Sequence, residues 1–433
     1  MEHRSAVQHS RGPVAELLVL FGSLAATQAV TSVIGFVYWV AAARLFPAAE
    51  VGLGAAAISA MALVSIFAML GVGTLLISEM PRRSPAEHPV LLGTGLLVVA
   101  LAGSLLGFAA GLVAPHLGHS LVATGNSPLA LLVFVVGVTA TAVGTVFDEA
   151  VLGLHRGSIQ LERNTFASIV RLALLAGFSY AGLRSGVGIV ATWSLSLLLS
   201  IAFGLVRLRL GQHGPWRTPR RERLREIRFQ FPSARQHYTL NLILQLSSFL
   251  FPLFAALVAR PREVAYFSTA RLIAGAVLTV PFMLSVALFA ATAGDESKLH
   301  DRIRISVPLG LILASCCAAL AIVLGGEVMR VFGAEYARNG VGYLRILVLA
   351  GPLLVIKDHY VSVRRVQRRL NEAARVILAA TILEATAALV GGLKFGLTGL
   401  CVGWLLALVV EACWTGPVVV SAMRRRGTTA RVT

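Results

Sequence analysis

The stretch LALLVFVVGVTATAVGTV, residues 129–146, runs directly into FDEAVLGLHRGSIQLERNTF, residues 147–166. The first part carries no charge over a length that, coiled as a helix, reaches about as far as a bilayer is thick. The second part begins with two adjacent acids, Asp148 and Glu149, and continues through Arg156 and Arg163. An apolar run that ends so abruptly in charge reads as a transmembrane helix leaving the membrane. The side on which it leaves decides what the charges do.

The rest of the chain repeats the pattern. Of 433 residues, 57% are hydrophobic and 13% charged, against about 25% charged in a soluble protein. Apolar runs recur along the whole length, so the expectation is an all-α polytopic membrane protein rather than a signal peptide followed by a soluble domain. The net charge of +18 points to cytoplasmic loops that face anionic headgroups. It does not point to nucleic acid, because the arginines are not interleaved with exposed aromatics. Cys316, Cys317, Cys401 and Cys413 all lie inside apolar runs. They read as small packing residues, with neither a disulfide framework nor metal-ligand spacing.

Twelve runs have spanning length, near 17–43, 52–77, 90–113, 129–152, 168–183, 187–206, 238–259, 270–292, 305–324, 341–361, 375–392 and 397–422. With the N-terminus inside, 29 of the 38 Lys and Arg fall in cytoplasmic segments and nine outside. This asymmetry predicts both termini in the cytoplasm of a multi-pass inner-membrane protein. The run 129–146 then ends at the cytoplasmic face. The longest polar connection, RLRLGQHGPWRTPRRERLREIRFQFPSARQH, divides six spans from six. The expected organisation is therefore an N-terminal six-helix lobe (1–206), a basic linker on the inner leaflet (207–237) and a C-terminal six-helix lobe (238–433). ARLFPAAEVG after the first span and ARPREVAYF after the seventh both place Arg and a Pro-containing turn before Glu-Val. An even number of spans in each half would make such halves parallel repeats.

Several segments in the expected order carry a resemblance. AARLFPAAEVG (42–52), LGLHRGSIQLERN (152–164), EVAYFSTARLIAGAVLTVPFMLSVALF (263–289), VMRVFGAEYARNGVGYLRILVLAGP (328–352) and FGLTGLCVGWLLA (395–407) resemble the polysaccharide flippases of the multidrug/oligosaccharidyl-lipid/polysaccharide exporter superfamily. The resemblance implies two six-helix lobes around a central cavity that opens alternately to each side. It implies lipid-linked saccharides, often on a polyprenyl pyrophosphate, as substrate, membrane lipids as surroundings and polysaccharide assembly proteins as partners. The chain departs from the superfamily pattern at LFAATAGDESKL (288–299), which lacks the usual Pro. Its twelve spans differ from the fourteen of the lipid II flippases. Its first and seventh spans offer Gln28, Asn241 and Gln245 where the multidrug branch commonly has acids.

The polar residues of the runs are the candidate site. Gln28 and Ser32 share a face of span one, and Asn241 and Gln245 share a face of span seven. Such amides point to neighbouring helices or water, either as packing bonds or as the lining of a sugar path. Arg271 opens span eight. For an anionic pyrophosphate it is the inward-facing candidate, set against simple snorkelling; Arg171 and Lys357 stand behind it. Asp148 and Glu149 oppose the macrodipole at their helix end. They are expected to pair with Arg156, Arg163 or the basic end of span ten, around Lys357 and Asp358. That pairing reads either as a structural interface or as a cytoplasmic gate. Glu384 and Glu411 lie deep in spans eleven and twelve, where a carboxylate must be protonated or paired, and proton coupling is their functional reading. No cofactor, metal cluster, catalytic triad or nucleotide-cradling glycine loop is legible, so no enzyme activity is expected. The alternatives are a cation-coupled exporter of drugs or metabolites, a membrane glycosyltransferase or polymerase, and an assembly scaffold.

Overall fold

The computed structural model describes residues 33–210, 242, 246, 249–292 and 299–424, and among them there is no strand. The helices are α1 (Val33–Leu45), α2 (Ala48–Ala68), α3 (Val72–Glu79), α4 (His88–Leu117), α5 (Pro128–Gly153), α6 (Gly157–Tyr180), α7 (Gly186–Leu210), α8 (Phe249–Val258), α9 (Pro261–Thr292), α10 (Leu299–Arg330), α11 (Ala334–Val348), α12 (Ala350–Val366) and α13 (Leu370–Arg424). In lipid only helices satisfy every backbone group within one segment, which is why apolar runs of this length adopt no other form. Eight described segments are long and apolar enough to cross a membrane: α2, α4, α5, α7, α9, α10, α11 continued by α12, and α13. α1 and α8 are shorter apolar helices.

The fold divides into two compact units, Ile34–Ser268 and the residues from Thr269 onward. In the first, α5 is the central helix and packs against α2, α3, α4 and α7. Phe134, Val138, Ala142, Val146, Phe147 and Ala150 are sealed from solvent along its length. Close approach of α4 depends on Gly103, Gly107 and Gly111, spaced one turn apart. A side chain at any of them would meet Thr139, Val135 or Leu131 of α5. Small residues at this spacing let helix backbones approach where no hydrophobic force drives them together. Local chemistry sets the ends. Ser127 accepts a hydrogen bond from the backbone N of Ala130 (3.2 Å), with Pro128 in the first turn of α5, as a helix N-terminus favours. Glu50 accepts one from the backbone N of Gly186 (2.6 Å), placing a carboxylate at the positive end of α7.

α6 differs from expectation. It begins at Gly157, eleven residues before the apolar run expected at 168. Its first turns carry Gln160, Glu162, Arg163 and Asn164, which depress hydropathy. The helix continues through them because Arg163 and Asn164 find partners on neighbouring helices, described below.

In the second unit, α12 packs against α10 and α13. His359, fully buried, bonds Ser306 of α10 through Nε2 (2.7 Å) and the carbonyl of Val355 through Nδ1 (2.7 Å). Ser362 donates to the carbonyl of Ser285 on α9 (2.9 Å). α13 folds back on itself at Phe395 (φ −132°, ψ 19°) and Gly396 (φ 62°, ψ −155°). Its two arms approach so closely that a side chain at Gly391 would strike Gly399, and one at Gly403 would strike Ala387. These pairs fix the register of the hairpin: moving away from the turn, Glu384 comes opposite Trp404.

Candidate functional site

Two polar networks lie inside the apolar helices, one in each unit. The first joins α5, α6 and α7. Arg163 grips Asp148 with both faces of its fork, Nε to Oδ1 at 2.8 Å and Nη2 to Oδ2 at 2.6 Å. Its Nη1 donates to Ser200 Oγ (3.0 Å) and Nη2 also to Asn164 Oδ1 (2.9 Å), while Asn164 Nδ2 returns a bond to Asp148 Oδ2 (3.1 Å). Gly144 and Gly204 leave room for the guanidinium and its stem, since a Cβ at either would touch Arg163. Arg163 is 3% exposed. A bidentate pair with its remaining donors satisfied is the arrangement in which a buried charge is tolerated.

Farther along the same helices a second rung forms, because α6 and α7 run antiparallel. Arg171 donates from Nε to Ser196 Oγ (3.1 Å), and its guanidinium carbon lies 3.5 Å from the Trp193 ring centre and 5.9 Å from that of Tyr38. Tyr38 shares a hydrogen bond with Thr192 (3.0 Å). Thr192, Ser196 and Ser200 recur one turn apart on α7, a polar stripe legible at helical spacing that sequence reasoning passed over.

The second network lies where α12 meets both arms of α13. Lys357 Nζ bonds Glu384 Oε1, and Glu411 Oε2 at 3.2 Å. Trp404 Nε1 donates to the other oxygen of Glu384 (2.8 Å). Glu411 is 1% exposed, and its Oε1 is buried without a hydrogen-bond partner. One ammonium faces two carboxylates, so a single negative charge is left over. In a low-dielectric setting such a charge is costly.

Each unit places its own share of the expected gate residues. Asp148 and Arg163 meet. Glu149 turns instead toward Gly73 of α3, its buried Oε2 without a partner. Arg156 stands at the α5–α6 turn, its backbone N bonded to the carbonyl of Val151 (2.8 Å). Lys357 joins Glu384 and Glu411, while Asp358, the next residue, takes no part in those bonds. Arg271 lies on α9, half-buried. Gln28, Ser32, Asn241 and Gln245 lie outside the described residues. Trp404 and Asn164 were not foreseen. Trp404 could have been found from its spacing to Glu384 across the short turn, and Asn164 from its adjacency to Arg163.

The fold is similar to those of solved transporters. The lipid II flippase MurJ in an inward closed conformation superposes with a TM-score of 0.73 at 12% identity, covering 94% of this chain and 89% of that one. An inward-facing multidrug resistance MATE family transporter of the MOP superfamily gives 0.69 at 16% identity, covering 90% and 95%. A MOP superfamily transporter from Pyrococcus furiosus gives 0.57 at 14%, covering 96% and 98%. No curated protein matches the chain in sequence. Residues 20–293 match the family model described as polysaccharide biosynthesis protein. A match over well more than half of the chain, on an all-helical membrane fold of the kind those transporters share, identifies the protein as a member of the polysaccharide biosynthesis protein family.

Proposed function

We propose that the protein crosses the inner membrane twelve times with both termini in the cytoplasm, and that it moves a lipid-linked oligosaccharide from the inner to the outer leaflet by alternating access. The observation that carries transport is the Lys357–Glu384–Glu411 cluster. A buried site with one charge left over has no use in a static scaffold, whereas loading and unloading a proton or cation there can bias two conformations. The substrate class rests on the family match. Twelve spans follow from the apolar runs of the sequence, with α6 admitted despite its charges and the arms of α13 counted separately. Asp148 and Arg163 then brace α5, α6 and α7. Glu149, left without a partner for Oε2, is the acid free to respond during the cycle. Arg271 serves the anionic headgroup of the substrate.

The cation-coupled exporter of drugs or metabolites is the competing reading, favoured by the same acidic cluster. Proteoliposomes separate the two. In the flippase reading, a fluorescent polyprenyl-pyrophosphoryl oligosaccharide becomes accessible to a membrane-impermeant quencher at a rate raised by the wild type and lost in Lys357→Met, while cationic dyes are not accumulated. Dye transport without saccharide flipping overturns it. In cells, Arg271→Ala lowers surface polymer at unchanged protein level; normal polymer refutes the role of Arg271.

A further inference from the structure

Arg163 and Arg171 sit on one helix, two turns apart, and the fold treats them differently. Every part of the Arg163 guanidinium has a partner. Arg171 donates only from Nε, to Ser196. Among the described residues neither of its terminal nitrogens has a hydrogen-bond acceptor, and no carboxylate lies within ion-pair distance. Arg171 is fourteen residues past Gly157, so it stands roughly 21 Å along α6 at 1.5 Å per residue, deep relative to a hydrocarbon core of about 30 Å. A guanidinium at that depth faces protein or water rather than lipid. Two pairs of N–H donors remain that no described residue takes up.

What surrounds it is aromatic. Tyr38 and Trp39 of α1 and Trp193 of α7 form a cluster. Ring centres lie 5.4 Å apart for Tyr38–Trp39, 5.6 Å for Tyr38–Trp193 and 6.3 Å for Trp39–Trp193. Trp39 and Trp193 are only half-buried. Three of these residues stand two positions from an exposed apolar side chain of their own helix: Trp39 from Val37, Arg171 from Ile169, Trp193 from Leu195. Two positions are about 200° of helix, so all three occupy the side opposite the lipid-like surface. Open indole surface on that side is not there to meet acyl chains.

We propose that Trp39, Trp193 and Arg171 form a binding site for the anionic sugar end of a lipid-linked saccharide. The C–H-rich face of a pyranose rests on an indole, whose π face is electron-rich. The terminal N–H groups of Arg171 take two oxygens of an oxyanion beside it. Trp193 covers one face of the guanidinium and so holds it in place. The oxyanion belongs either to the phosphate that carries the sugar or to a carboxylate on the sugar. This site rests on the flippase reading and adds to it which residues recognise the saccharide.

The test measures binding to the purified full-length protein in nanodiscs with three probes: a short-chain polyprenyl pyrophosphate bearing a neutral disaccharide, the same pyrophosphate without sugar, and a free disaccharide containing a uronate. Trp39→Leu weakens the sugar-bearing lipid about three- to tenfold, in line with an aromatic contact, and leaves the sugar-free lipid within about twofold. Trp39→Phe keeps most of the affinity, which guards against a folding defect in the leucine variant. Arg171→Gln weakens both pyrophosphates if the oxyanion is phosphate, or only the uronate if it is the carboxylate; either result supports the site. Equal effects of Trp39→Leu on the two lipids, or no effect of Arg171→Gln on any probe, overturns it. A wild type that binds neither the sugar-bearing lipid nor the saccharide overturns the flippase reading as well, whereas equal binding of the two lipids by the wild type overturns this site alone.

Discussion

Removing Arg163 should strongly destabilise the first unit. Arg163→Ala leaves Asp148 buried with only Asn164 to bond it, and breaking a buried pair by removing one partner costs about 3–5 kcal/mol. The unit spans Ile34–Ser268, a size at which each kcal/mol moves a thermal midpoint by roughly 2–4 °C. The detergent-solubilised protein should therefore lose roughly 10 °C in a fluorescence-detected thermal ramp. Asp148→Asn strands the opposite charge against Ser200 and Asn164 and should cost a similar amount. The double variant Asp148→Leu with Arg163→Met replaces both charges with apolar groups, and such replacements are often neutral, so most of the midpoint should return. A single variant within 2 °C of wild type, or a double variant no better than the worse single, refutes the argument from a compensated buried charge. Loss of transport at an unchanged midpoint would make the pair a gate rather than a brace.

Glu411→Gln leaves Lys357 and Glu384 as a neutral pair, so the protein should fold normally yet lose the dependence of transport on the driving ion gradient; retained dependence places the coupling elsewhere. Gly396 has a backbone conformation essentially restricted to glycine, and Gly396→Ala should cost about 1–3 kcal/mol, read as a fall in the thermal midpoint, with Gly391→Leu worse because it pushes the arms of α13 apart. Reporter fusions at Thr433 and between residues 114 and 128 should report opposite sides of the membrane, and same-side signals would refute the charge-derived orientation.

Hydropathy located the long helices because their signal is carried by many residues at once. It failed at α6, where Arg163 and Asn164 are solvated by Asp148 and Ser200 rather than by water. A window average cannot see a partner on another helix. The pairing of Asp148 with Arg163 was readable, since the two lie either side of one short turn. That Glu384 and Glu411 must be protonated or paired also followed from their depth. That they share Lys357 did not, because it depends on how tightly α13 folds back, which Gly391, Gly399 and Gly403 decide. Arg171 was read only as a candidate for an anionic group, second to Arg271. Its setting needs Tyr38, Trp39 and Trp193 to converge from helices more than 150 residues apart in the chain, and no local pattern encodes that.

The tight reversal of α13 bears on how the chain is made. With Phe395 and Gly396 alone departing from helical geometry, the arm that carries Glu384 can hardly settle in the bilayer before the arm that carries Glu411 has emerged. A charged residue at a helix centre costs about 2.5–3.5 kcal/mol on insertion scales, and each arm brings one. Synthesis delivers Lys357 first. Its ammonium enters on α12 ahead of both carboxylates, so the two arms can enter as a pair onto a cation already held in the membrane.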